Sequence, residues 1–109
     1  MLSPLPQPSK EVDINLIIFV QRYATDLLKW DILALFAHNP DFRASVSQIA
    51  QAIGRSLPSV QPEVGDLALL RILEKRQVVD DDTIYQLTRE PHLRQMMLKF
   101  AQQVLPPSL

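Results

Sequence analysis

The sequence predicts a mainly α-helical domain with a small two-stranded β-hairpin inserted before its last helix, and three observations lead there. Apolar residues recur at helical spacing through most of the chain. After Leu70 the spacing changes to two β-rich runs, and helical spacing returns at Pro91. Helix-start and helix-stop residues also fall where the period changes, as Ser45 with Gln48, Gly54 and Pro40 illustrate.

Residues 13–37 read as helix, with Thr25-Asp26 as a break or internal cap and Pro40 as the stop. Its first half carries Ile14, Leu16, Ile17, Ile18, Phe19, Val20 and Tyr23, which cover nearly the whole circumference. A helix that is apolar all round needs partners on more than one side. In its second half Leu27, Leu28, Ile32, Leu35 and Phe36 form a cleaner stripe. Ser45-Val-Ser-Gln48 has the form of a capping box, and Gly54 suits the left-handed position just past the short helix that follows. Arg55 to Pro58 reads as the turn. The next helix is expected to begin between Ser59 and Gln61, because Pro62 lacks an amide hydrogen and is comfortable in a first turn. Its inward positions are Val60 or Val64, Leu67 and Leu70, and Gly65 lies within it. Ile72 to Val79 and Thr83 to Thr88 read as strands joined by Asp80-Asp81-Asp82. From Pro91 to Val104, Leu93, Met96, Met97, Phe100 and Val104 recur on one side of a last helix.

Composition bounds what such a domain can be. At 109 residues, with 47% apolar and 21% charged residues, the chain can bury one core. Residues 1–10, with Pro4, Pro6 and Pro8, read as a flexible lead, residues 11–105 as the domain, and residues 106–109 as a tail. The absence of cysteine removes disulfides, thiolate nucleophiles and cysteine zinc sites, and fits a reducing cytoplasm. The run from Ile14 to Val20 is too short to span a bilayer, and the amino terminus lacks the basic region of a secretion signal, so the expected location is the cytoplasm. A net charge of −1 gives no global attraction to polyanions; any nucleic-acid case rests on a local patch.

The order of helix, helix, glycine turn, helix, hairpin and helix resembles the winged helix-turn-helix transcriptional regulators of bacteria and archaea, over about residues 25–104. Within that stretch Ile49-Ala50, Gly54 and Val60 match the family's spacing of a small residue, a turn glycine and a branched residue. Ile72-Leu73-Glu74-Lys75-Arg76, followed by Ile84-Tyr85-Gln86-Leu87-Thr88, looks like a family wing. The resemblance implies a winged helix-turn-helix with extra N-terminal and C-terminal helices, whose third family helix enters the major groove of double-stranded DNA while the wing touches the backbone. Ser59, Gln61, Pro62 and Glu63 then fall at the groove-facing start, and Arg55, Arg71, Lys75 and Arg76 flank it as phosphate contacts. Gln61 can read adenine, and Ser59 can donate to a phosphate.

The local charge pattern departs from the family. No Lys or Arg occurs from Ser56 to Leu70, Glu63 and Asp66 add negative charge, and the wing tip is Asp80-Asp81-Asp82. Two readings therefore stand: a small dimeric DNA-binding regulator, and a winged-helix module that docks a protein instead. Fold alone does not choose between them.

The remaining constellations have plainer readings. Asp80 to Asp82 lacks the spaced oxygens of a calcium loop, and His38 and His92 stand alone, so no metal is expected. There is no glycine-rich phosphate loop and no serine with a positioned base; the chain reads as non-enzymatic and without a cofactor. Tyr23, Trp30, Met96 and Met97 read as core or interface packing. The surplus apolar surface of the first helix predicts a homodimer through Ile14, Ile17, Ile18 and Phe19, with Met97 and Phe100 of the last helix beside them.

Overall fold

The computed structural model describes residues 13–80 and 82–105. The expected lead over residues 1–10, its junction at 11 and the tail over 106–109 lie outside the described residues. The elements are α1 (Ile14–Tyr23), α2 (Leu27–His38), β1 (Arg43–Ala44), α3 (Val46–Ile53), α4 (Leu57–Leu69), β2 (Leu73–Val79), β3 (Asp82–Leu87) and α5 (Pro91–Gln103). This is the winged helix-turn-helix plan with an added helix at each end.

The break at residues 25–26 is real. Asp26 caps α2 by accepting the Lys29 amide at 2.8 Å, and Asp13 caps α1 through the Leu16 amide at 3.1 Å. The capping box also forms: the Ser45 hydroxyl accepts the Gln48 amide at 3.2 Å, while the Gln48 side chain accepts the Ser45 amide at 2.9 Å. Gly54 ends α3 at φ 70, letting the Arg55 amide reach back to the Ala50 carbonyl at 3.0 Å.

The start of α4 corrects the sequence expectation. The helix begins at Leu57 rather than between Ser59 and Gln61, so Pro58 takes the amide-free first turn and Pro62 lies inside the helix. An interior proline costs about 3 kcal/mol when the carbonyl four residues earlier is left without a partner. Here that carbonyl belongs to the exposed Pro58, where water can reach it. Val60, Val64 and Leu67 are each 0% exposed, and burying three such side chains contributes about 1.5–3 kcal/mol apiece, enough to hold the segment helical. Leu70, expected inward, is only half-buried.

The end of α4 uses the same closing geometry as α3 but with a different residue. The Ile72 amide reaches the Leu67 carbonyl at 3.1 Å and the Arg71 amide reaches Ala68 at 3.0 Å, which forces Arg71 to φ 68. Glycine does this without penalty at position 54; a side chain there costs about 1 kcal/mol or more.

The sheet has three strands in the order β1-β3-β2, all antiparallel, one more than the expected pair. Arg43 and Ala44 pair with Gln86 and Tyr85, and a two-residue strand has no periodicity to read. In the wing Val79 pairs with Asp82, so the turn is tighter than the expected three aspartates. Asp80 stands at φ 50, as a two-residue hairpin turn requires of its first member. A register shift between Lys75 and Gln77 makes Arg76 the extra residue of a bulge.

The core lies where α2, α3, α4 and α5 converge on the sheet, around Ile32, Phe36, Ile49, Val60, Leu67, Leu73, Met97 and Phe100. Three residues expected at a dimer interface belong to this core instead. Phe19 is 3% exposed, and Met97 and Phe100 are 0% exposed, with the Phe100 ring 5.9 Å from Phe19 and 5.1 Å from Trp30. The α1 wheel explains the division. Leu16, Phe19 and Tyr23 face α5 and are buried, while Ile14, Ile17 and Ile18 lie on the opposite side, 67%, 43% and 54% exposed.

Candidate nucleic-acid interface

The surface in question consists of the outer side of α4, the turn before it and the wing beside it. With Val60, Val64 and Leu67 directed inward, the 3.6-residue period puts Pro58, Pro62 and Leu69 at the centre of the outer side. Ser59, Glu63 and Asp66 flank that line on one edge, and Gln61, Gly65 and Ala68 on the other. Ser59 and Gln61 are exposed, and the Ser56 hydroxyl donates to the Ser59 hydroxyl at 2.8 Å.

Glu63 and Asp66 share one cation with Asp26, so their charge is partly compensated and the cluster stays net negative. Lys29 reaches across from α2, its side chain 10% exposed, and its ammonium contacts Glu63, Asp66 at 3.3 Å and Asp26 at 3.2 Å. Burial by itself disfavours the charged ammonium, but the hydrogen bonds it donates to Glu63, Asp26 and Asp66 outweigh it and hold Lys29 protonated well above its ordinary range. Asp26 is held below the ordinary carboxylate range chiefly by the Lys29 amide, against opposing burial and with help from the Lys29 ammonium. Lys29 is not among the candidate residues that the sequence singles out. Its one local signal was Asp26 three residues earlier; the partners on α4 lie 34 and 37 residues away.

The flanking cations divide. Arg55 donates to Asp31 on α2 at 2.9 Å, so it braces the turn rather than standing free. Arg71 and Lys75 are exposed and line one cavity between the C-terminal half of α4 and the wing. Arg76 is exposed at the bulge and does not line that cavity. Among the described residues none of these three makes an ion pair. The structure thus gathers Arg71 and Lys75, keeps Arg76 nearby on the same strand as Lys75, and separates Arg55 from them.

Glu74 fixes the base of the wing. Its carboxylate accepts the Arg89 amide at 2.9 Å, the Thr88 hydroxyl at 3.2 Å and the Arg89 guanidinium at 3.2 Å. The Arg89 amide is the leading cause that holds Glu74 below its ordinary range; burial opposes it. Sequence reasoning also missed Arg43, Arg89 and Arg94, which line a second cavity of about 300 Å³ with Pro40 and Asp41. Arg94 is held there by Asp41 at 3.2 Å and by the Thr88 and Pro40 carbonyls. Among the described residues no group of three or more His, Cys, Asp or Glu could hold a metal ion, and no helix is long and apolar enough to cross a membrane.

Comparison with known proteins agrees with this geometry. The HTH-type transcriptional regulator KmtR of Mycobacterium tuberculosis is 27% identical over 93 residues, spanning 85% of this chain and 68% of its own length. The transcriptional repressor BigR from Xylella fastidiosa superposes with a TM-score of 0.64 at 18% identity, over 86% of this chain and 91% of that one. The homodimeric winged helix-turn-helix DNA-binding domain of a possible ArsR-family transcriptional regulator from Mycobacterium bovis gives a TM-score of 0.58 at 20% identity, over 83% and 84%. No family model matches the chain. The fold is that of a winged helix-turn-helix domain.

Proposed function

We propose that this chain is a small DNA-binding transcriptional regulator that acts as a homodimer, setting α4 against the major groove with the wing alongside. The observation that carries this reading is the capture of Glu63 and Asp66 by Lys29. It draws Glu63 and Asp66 toward α2, although one ammonium among three carboxylates leaves that cluster net negative, and Arg71, Lys75 and Arg76 beside it are exposed and make no ion pair among the described residues. The likeness to regulators and repressors supports the same reading.

Dimerisation follows from α1. Ile14, Ile17 and Ile18 form one exposed apolar face, Leu98 of α5 is 44% exposed, and a patch of this kind on a small domain marks an interface. Phe19 and Phe100 hold α1 on α5 from beneath, with Lys99 to Asp13 at 3.1 Å as a further tie. Two copies joined this way present two α4 helices to successive half-sites. The cytoplasm is the compartment in which such a regulator works, and neither cofactor nor catalysis enters the reading.

A fluorescence titration with mixed genomic fragments tests the proposal. Lys75→Ala with Arg76→Ala should weaken binding similarly on every sequence, while Gln61→Ala should change the preference among sequences. Protein docking is the second reading, favoured by the outer line of Pro58, Pro62 and Leu69, the last 83% exposed. Absence of DNA binding at low salt would put that reading first.

A further inference from the structure

The cavity between α4 and the wing has features that phosphate contact does not require. It measures about 640 Å³, within the range of about 300–1,000 Å³ usual for small-molecule pockets. Ala68, Leu69, Leu73 and Leu93 supply apolar walls, and Arg71 and Lys75 stand at its edge.

Two residues there are chosen against local preference. Gly65 lies inside a helix, its φ is not in the left-handed region, and a Cβ built on it would meet nothing within 4 Å. Neither backbone conformation nor helix packing therefore calls for glycine. Its effect is on the cavity, which any side chain at that position would enter. Arg71 holds the left-handed position at the end of α4 that glycine fills at the end of α3. An arginine thus lines the cavity from a position where glycine would have been less strained.

The charges are also unevenly committed. Both carboxylates of the lining are occupied: Glu74 by Thr88 and Arg89, and Glu90 by the amides of His92 at 2.9 Å and Leu93 at 3.1 Å. Arg71 and Lys75 make no ion pair among the described residues. An occupant would meet apolar walls, two cations that make no ion pair among the described residues, and two carboxylates already engaged by other donors.

We infer that this cavity binds a small carboxylate with an apolar body, its charge on Arg71 and Lys75 and its body over Gly65 and Leu93. Because the same two cations are the phosphate contacts of the DNA reading, the bound acid competes with DNA. This second half rests on that reading; the first half does not.

The test uses the full chain and 2-naphthoate, with its neutral counterpart 2-naphthamide. Naphthoate fluorescence and amide shifts should show saturable binding, with the shifts grouped at residues 65–75 and 85–93. Gly65→Leu should remain folded by circular dichroism, since the position is open, and should abolish binding. Arg71→Ala with Lys75→Ala should weaken binding at least about tenfold, as should the loss of charge in 2-naphthamide, since each such factor is one step of 1.4 kcal/mol. Naphthoate should also release a bound DNA fragment. Equal affinity for naphthamide, undiminished binding to Gly65→Leu, or no saturation up to about 10 mM would overturn the site. DNA that stays bound at saturating naphthoate would overturn the competition. Naphthoate binding by a chain that binds no DNA would count against the DNA reading and uphold the site.

Discussion

Replacing Lys29 by Met tests the tie between α2 and α4. The variant keeps the apolar stem and removes the ammonium from the 3.2 Å and 3.3 Å contacts to Asp26 and Asp66 and from the shorter contact to Glu63. Fully buried pairs cost about 3–5 kcal/mol when one partner is lost, and exposed pairs about 0.2–1 kcal/mol. Here the lysine side chain is 10% exposed and the carboxylates are 45%, 24% and 57% exposed, so solvent screens most of the cluster and Glu63 least. The expected loss is about 2 kcal/mol, or about 10 °C in Tm for a domain of this size. Urea and thermal unfolding of the wild type, Lys29→Met, Glu63→Gln and the double variant form the assay. If crowded carboxylates cause the loss, Lys29→Met should cost under about 1 kcal/mol on the Glu63→Gln background. A Lys29→Met variant within about 0.5 kcal/mol of wild type would show instead that the cluster is solvated.

Stability should also depend on pH through Asp26 and Glu74, whose ordinary values are 3.8 and 4.5 and whose folded values are lower. The unfolded chain takes up protons first as pH falls, so unfolding free energy should be level above about pH 5 and decline below about pH 4.5 through the lowered folded values, as acid titration by circular dichroism would show. Arg71→Gly should raise stability by up to about 1 kcal/mol in urea unfolding by relieving the left-handed conformation, while weakening DNA binding in the same preparation. Ile17→Asp with Ile18→Asp should leave a folded monomer in sedimentation, because both side chains are exposed and the core side of α1 is untouched. A wild-type chain that is monomeric at micromolar concentration would remove the dimer.

What was legible in the sequence was what chain-local chemistry decides. The capping box at Ser45 and Gln48, the left-handed glycine at 54, the break before Leu27 and the wing around Asp80 depend on neighbours within a few residues, and all four stand in the structure. The start of α4 was not legible, because burial of Val60, Val64 and Leu67 overrode the local preference of Pro62. The dimer residues split for a related reason. An all-round apolar helix shows that two faces need cover, but which side α5 takes is a tertiary fact, and it placed Phe19, Met97 and Phe100 in the core. At the candidate interface, Ser59, Gln61, Arg71, Lys75 and Arg76 were nameable from register, whereas the pairing of Arg55 with Asp31 and of Lys29 with α4 joins residues far apart in sequence.

The salt dependence of binding decides whether α4 and the wing face DNA through Arg71, Lys75 and Arg76. Each phosphate contact contributes about 0.9 to the slope of log affinity against log salt, so three contacts on each of two protomers should give a slope near about −5. The triple variant Arg71→Ala, Lys75→Ala, Arg76→Ala should bring that slope close to zero. Asp80→Asn with Asp82→Asn should strengthen binding by removing repulsion at the wing tip. A wild-type slope near zero, or a slope that the triple variant leaves unchanged, would show that these cations do not contact phosphates.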